Sequence, residues 1–280
     1  MAWASKLLQE AGVEDGAGDS RILLMRASGF TRAEMIANPD ALLTSEQHAG
    51  FAGMIERRCR REPVSRIAGY RPFWKHEFEI DASTLDPRPD TETLIEFILE
   101  NTRHQRSADL KILDIGTGSG AIICSLLSEL PNSRGVATDI DPAACTMARR
   151  NAVRLGLGER CRIVEADWAD GTGGACDIIV SNPPYIPAAQ IASLAPEVRN
   201  WDPVLALDGG SDGLDAYRSI AAIASRILRP GGLLAVEIGQ GQEADVTALF
   251  LHAGLTGAGG KQDLQGIWRV VAALKPEMAG

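Results

Sequence analysis

Asn182, Pro183, Pro184 and Tyr185 follow the apolar run Asp177-Ile-Ile-Val-Ser181, and together they suit chemistry on a planar nitrogen. At the end of a strand such a loop offers a side-chain amide oxygen, a backbone carbonyl held at a fixed φ and an aromatic face, all aimed at one small group. An amide or exocyclic amine nitrogen delocalises its lone pair and is a poor nucleophile. Two acceptors for its N–H bonds, Asn182 Oδ1 and the Pro183 carbonyl, would hold it toward a methyl donor and bear the positive charge that develops on it. The plainer alternative is that Pro-Pro-Tyr only punctuates a loop after a buried strand. A donor-binding motif upstream argues against that.

The upstream motif is Asp114-Ile-Gly116-Thr117-Gly118-Ser119-Gly120, placed where a strand gives way to a helix. Its glycines permit a tight turn and close approach of backbone to a ligand. Asp139 ends the next strand and can accept both hydroxyls of a ribose. A glycine-rich turn alone also serves dinucleotides, so the rest of the constellation matters. Glu165-Ala-Asp167-Trp168 after the third strand can give a carboxylate to an adenine amino group and an indole face to its ring. Asp114 can cap the turn or receive the donor's α-amino group through water. The donor that joins adenosine, an amino-acid head and a methyl sulfonium is S-adenosylmethionine, with S-adenosylhomocysteine as product.

Strands and helices alternate around these motifs. Strands are expected at residues 110–115, 135–139, 161–165, 177–181, 232–238 and 266–272, with helices at 121–130, 142–155, 217–228 and 243–253. Alternating β and α with short buried strands means an α/β domain, a doubly wound, mostly parallel Rossmann-like sheet, and ligands of such sheets bind at the carboxyl ends of the strands. From Ala2 to Arg61 apolar residues recur at three- and four-residue spacing, which predicts a small bundle of about four helices, the last over 45–61. Between Pro63 and Ile80 the pattern suggests a β-hairpin. The expected organisation is a helical domain at 1–62, a hairpin linker at 63–85 and a catalytic domain at 86–280.

The net charge of −9 argues against capture of nucleic acid by a basic surface. Residues 1–80 hold eleven Lys/Arg and eleven Asp/Glu, so the whole excess of acid lies beyond them. Arg57-Arg58-Cys59-Arg60-Arg61 is the one dense basic cluster, read as a solvated helix face in preference to a binding patch. Five cysteines without a CxxC pair and four scattered histidines imply reduced thiols and no metal. No signal segment or apolar run of membrane length is evident. A cytoplasmic monomer without membrane association is expected.

Asp114–Gly120 together with Ser181-Asn-Pro-Pro-Tyr-Ile186 resembles the class I S-adenosylmethionine-dependent methyltransferases of amide or exocyclic amine nitrogens. Further segments narrow the resemblance: Phe73-Trp74, Pro87-Arg88-Pro89-Asp90-Thr91-Glu92, Asp208-Gly-Gly-Ser-Asp-Gly-Leu-Asp-Ala-Tyr217 and Glu237-Ile-Gly-Gln240-Gly-Gln242. With these the chain is similar, over nearly its whole length, to the HemK/PrmC family, which methylates the glutamine side-chain nitrogen of the Gly-Gly-Gln motif in class I peptide chain release factors during translation termination. The resemblance implies cofactor contacts from Gly116 to Gly120, Asp139, Trp168 and Asn182, a substrate glutamine held by Asn182 to Tyr185, and a helical domain that helps to grip the release factor. Asp86 stands where the family has an apolar residue, and Trp201-Asp202-Pro203 replaces Phe-Glu-Pro. Arg88, Glu92 and the stretch from Glu197 to Asp202 either support the site or serve as caps and salt bridges.

Three other readings stay open at this point. An adenine N(6) methyltransferase could seat an extruded base in the same loop with Tyr185 stacked on it, and a tight, salt-sensitive complex with duplex DNA would favour it. A binding module on a degenerate fold would fail to bind S-adenosylmethionine. A nicotinamide dehydrogenase would leave Asn-Pro-Pro-Tyr unexplained.

Overall fold

The structure is a computed structural model that describes residues 1–170 and 172–277. It separates into two compact units, Met1–Tyr70 with Ala195–Trp201, and Arg71–Leu194 with the chain from Asp202 onward.

The first unit contains α1 (Ala2–Glu10), α2 (Gly16–Ser28), α3 (Arg32–Ala37), α4 (Ser45–Cys59) and α5 (Val64–Ala68). Two capping boxes start helices in it: Thr31 with Glu34 opens α3, and Thr44 with Gln47 opens α4. Leu8, Leu23, Phe51, Ile55 and Ile67 form its core. In the basic cluster Arg60 is exposed, while the other three arginines are engaged in ion pairs. Arg58 is buried and pairs with Asp19 at 2.7 Å and Glu197 at 3.1 Å, while Arg61 reaches Glu197 at 2.5 Å and Arg57 pairs with Glu62.

The expected hairpin linker at 63–85 begins instead with α5. Val64 and Ile67 lie three residues apart and pack on the helical core, and Gly69, at φ +81°, ends the turn. The hairpin itself is shorter, β1 (Tyr70–Phe73) and β2 (His76–Glu79).

The second unit runs α6 (Glu92–Asn101), β3 (Lys111–Ile115), α7 (Ala121–Glu129), β4 (Arg134–Asp139), α8 (Pro142–Arg154), β5 (Cys161–Glu165) and β6 (Cys176–Ser181). After α9 (Pro196–Arg199), which belongs to the first unit, it continues with α10 (Asp215–Ile227), β7 (Leu228–Glu237), α11 (Glu243–His252), β8 (Thr256–Gln262) and β9 (Trp268–Leu274). Seven strands make one sheet in the order β5-β4-β3-β6-β7-β9-β8. The first five are parallel and β9 is antiparallel to both neighbours. Successive residues of a strand serve opposite faces: Ile112 and Ile178 join one core with α6, α7 and α8, and Leu113 and Ile179 join the other with α10 and α11. Such two-sided burial is what makes these strands near-continuous apolar runs.

Helix α6 and strand β8 are additions to the elements expected from the sequence. Among the described residues no helix is long and apolar enough to cross a membrane.

Candidate active site

Strand β3 lies between β4 and β6, so the chain leaves it toward one side and returns on the other, and a crevice opens at the carboxyl ends of these strands. A cleft of about 230 Å³ occupies that position. Gly116, Thr117, Gly118, Ser119, Asp139, Asp167, Trp168, Asn182, Pro183 and Pro184 all line it. The sequence-distant motifs therefore converge on one space. Asp114, Gly120 and Tyr185 do not line the cleft.

The glycine turn is held from below. Gly116 and Thr117 both donate their N–H groups to the Thr138 carbonyl at 2.9 Å. Gly116, Gly118 and Gly120 have φ of +71°, +54° and +79°, a region that side-chain-bearing residues rarely enter. A Cβ on Gly116 or Gly118 would meet no protein atom within 4 Å, so it would project into the cleft. At Gly120 a Cβ would sit 3.3 Å from Ala148, which explains that glycine by packing against α8. Asp114 is fully buried. Its Oδ2 accepts from the Thr117 hydroxyl at 2.7 Å, its Oδ1 has no hydrogen-bond partner among the described residues, and burial pushes its carboxyl up to about 7. The bond from Thr117 makes Asp114 a cap of the turn.

Asp139 ties the turn to the next strand. Its Oδ2 accepts from Gly118 N–H at 2.8 Å and its Oδ1 from Asp141 N–H at 3.0 Å. Burial raises its pKa, against the pull of the backbone donors at Asp141 and Gly118. Each carboxylate oxygen keeps a second lone pair for a ligand hydroxyl. Trp168 has φ +55°, unusual for a bulky residue. Asp167 beside it is exposed on the cleft wall.

Asn182 donates from Nδ2 to the Thr91 hydroxyl at 3.2 Å. Ser181, just before it, is fixed by its hydroxyl on the Ile115 carbonyl at 2.7 Å. Tyr185, expected to offer its ring to a substrate, stands behind the loop instead. Its ring packs on the apolar core and its hydroxyl donates to Glu237 Oε1 at 3.4 Å. Glu237 is itself 2% exposed. Burial pushes its carboxyl up to about 7, tempered by the Thr91 hydroxyl and the charge of Arg269.

Thr91, Glu237 and Asn151 are participants that sequence reasoning did not single out. Asn151 is wholly buried and donates to the carbonyls of Ser119 and Glu79 at 2.9 Å, pinning the end of the glycine turn. Of the supporting candidates, Arg88 pairs with Asp202 at 2.8 Å, Glu92 caps the Trp74 N–H at 2.7 Å, and Glu197 belongs to the ion-pair cluster of the first unit. Asp86 is buried 3.7 Å from Arg71, so its charge is met locally.

Residues 1–69 match the family model described as the PrmC N-terminal domain, and residues 88–197 match the methyltransferase small domain. The chain is 46% identical to the release factor glutamine methyltransferase of Rhodospirillum rubrum, over 97% of this chain and 82% of that one. A methyltransferase from Pyrococcus furiosus shares the fold with a TM-score of 0.55 at 19% identity, covering 79% of this chain and 98% of that one. The N-terminal domain of human METTL16, solved with S-adenosylhomocysteine, has a TM-score of 0.51 at 16% identity, covering 71% and 76%.

Proposed function

The chain belongs to the family of release factor glutamine methyltransferases, and we propose that Asn182 and Pro183 present the two acceptors that hold the substrate glutamine amide in the cleft. The enzyme uses S-adenosylmethionine to methylate the side-chain nitrogen of a glutamine in peptide chain release factors. We assign as its target the glutamine of the Gly-Gly-Gln motif in the class I factors. The observation that carries the assignment of residues is the single cleft shared by the glycine turn and Asn182.

The residues present fit the cofactor. Gly116 and Gly118 leave open room beside bare backbone where a Cβ would intrude, Asp139 keeps acceptor capacity for ribose hydroxyls, and Trp168 and Asp167 offer an indole face and a carboxylate on the same wall. Bound there, S-adenosylmethionine supplies a methyl group on a cationic sulfur. Asn182 Oδ1, left free because Nδ2 is committed to Thr91, accepts one N–H of the substrate amide. The Pro183 carbonyl accepts the other. Together they orient the nitrogen and take up the positive charge that grows on it, and the methylated nitrogen, now strongly acidic, sheds a proton to Asn182, a backbone acceptor or water. Positioning of this kind can supply roughly 7 to 11 kcal/mol, so no covalent enzyme intermediate is required.

The acidic balance of the chain supports a protein substrate over duplex nucleic acid. We further propose that the enzyme works in the cytoplasm as a monomer, which light scattering of the purified protein tests. The decisive experiment is transfer of labelled methyl to a purified release factor, beside the same factor with its Gly-Gly-Gln glutamine changed to alanine and beside duplex DNA. Label on the intact factor alone supports the reading. Label on DNA, or on the alanine variant, overturns it.

A further inference from the structure

Two glycine-bearing segments, Asp208–Tyr217 and Glu237–Gln242, do not line the cleft, yet both press against the back of the Asn182–Tyr185 loop. A Cβ on Gly209 would come within 2.9 Å of the Pro184 carbonyl and of Tyr185 Cα, one on Gly213 within 2.5 Å of the Tyr185 carbonyl, and one on Gly239 within 3.0 Å of the Tyr185 ring. Only bare backbone can approach so closely.

Gln242 joins the three. Its Nε2 donates to the Tyr185 carbonyl at 3.1 Å and the Gly213 carbonyl at 3.2 Å. Its Oε1 accepts from Gly239 N–H at 2.9 Å and from the Tyr217 hydroxyl at 3.3 Å. Both donors and both acceptor positions of this one amide are therefore spent. Tyr217 is fully buried, and its single hydroxyl proton is shared between Gln242 Oε1 and the Glu237 carbonyl, the latter at 3.0 Å.

The loop is built to transmit a displacement. Ser181 is held in the sheet by β3 and β7, and Pro183 and Pro184 each lock φ. Between the fixed strand end and the clamped Tyr185 carbonyl, little freedom remains for Asn182. We propose that Gln242 is a positioning residue for methyl transfer: by fixing the Tyr185 carbonyl it sets where Asn182 Oδ1 and the Pro183 carbonyl stand. This inference rests on the function assigned above and touches neither cofactor nor substrate directly.

The test is steady-state methylation of a release factor by Gln242→Glu and Gln242→Leu, with S-adenosylmethionine affinity measured by calorimetry and folding by thermal melting. Gln242→Glu keeps the shape and the acceptors but loses both donors toward carbonyl oxygens. Misplacement of catalytic groups by about 1 Å can cost on the order of 100-fold, so kcat is expected to fall at least about 10-fold, while KM for the release factor and cofactor affinity stay within about threefold. A parent-like kcat in a folded variant overturns the inference, as does a loss of cofactor affinity equal to the loss of kcat. If neither Gln242 variant folds, Tyr217→Phe removes one hydroxyl and keeps the ring; reduced kcat at unchanged cofactor affinity supports the proposal, and parent-like kcat overturns it. Methyl transfer by the parent in the same assay separates the two readings: variants that match an active parent overturn this inference alone, whereas an inactive parent overturns the function itself.

Discussion

Asn182 Nδ2 donates to the Thr91 hydroxyl at 3.2 Å, and this bond decides which end of the carboxamide faces the cleft. An asparagine turned the other way would offer N–H donors to a substrate amide that needs acceptors. The orientation is thus set by a threonine 91 residues away in sequence, at the foot of α6.

Asn182→Ala removes the side-chain acceptor and leaves the glycine turn alone. Loss of one preorganised polar contact to a developing charge costs about 100-fold or more in kcat. Turnover should drop by that much with S-adenosylmethionine affinity changed only a few-fold, as read by single-turnover kinetics and calorimetry. Parent-like turnover would remove Asn182 from the chemistry.

Asp139→Ala has the opposite signature. The substitution deletes the acceptor for Gly118 N–H and Asp141 N–H together with the groups offered to a ribose. Charge-assisted hydrogen bonds contribute about 1.5 to 3 kcal/mol each, so cofactor affinity should weaken by at least about tenfold. An unchanged dissociation constant would place the ribose elsewhere.

Glu237 predicts a pH dependence of stability. Its carboxyl is raised from 4.5 to about 7 in the folded protein, where it faces Thr91, Tyr185, Arg269 and Asp90. Between those values the folded state holds a proton that the unfolded chain has released, so the stability this group contributes is present below pH 4.5 and is lost as pH rises through 7. At 1.36 kcal/mol per pKa unit, the shift corresponds to about 3 kcal/mol. Glu237→Gln cannot ionise, so its stability relative to the parent should rise as pH goes from 4.5 to 8. Denaturant titrations at several pH values check this, and a pH-independent difference would contradict it.

Arg58→Ala should destabilise the first unit. Its guanidinium is buried between Asp19 and Glu197, and its removal takes away the cation paired with Asp19, while Glu197 keeps Arg61; breaking a buried pair costs about 3 kcal/mol or more. Thermal melting of the variant measures this; a melting temperature equal to the parent's would mean that water already screens the cluster.

The parallel strands were legible because burial on both faces makes them continuous apolar runs, and their ends carried the glycine turn and Asn-Pro-Pro-Tyr. Other elements gave weaker signals. In α6, Thr93, Leu94, Ile95, Phe97, Ile98 and Leu99 are all buried, which blurs the helical period. Strand β8, Thr-Gly-Ala-Gly-Gly-Lys-Gln, has almost no apolar pattern and is defined by pairing with β9. Helix α5 is one short turn whose Val64 and Ile67 also fit an extended reading. At the site, Thr91, Glu237 and Asn151 come to their partners only through tertiary packing, and no local spacing announces that. Tyr185 was assigned a role from its residue type, whereas its direction is decided by Gly209, Gly213 and Gly239.

The first unit is discontinuous: it is made by Met1–Tyr70 together with Ala195–Trp201. Arg58 and Arg61 in the long segment share Glu197 in the short one. A chimera that exchanges the helical portion between relatives by a single cut after residue 70 would therefore separate Arg58 and Arg61 from Glu197 and leave Arg58 only its pair with Asp19. A graft intended to keep the unit intact has to carry both pieces, with the seven-residue insert transplanted alongside the helices it neutralises.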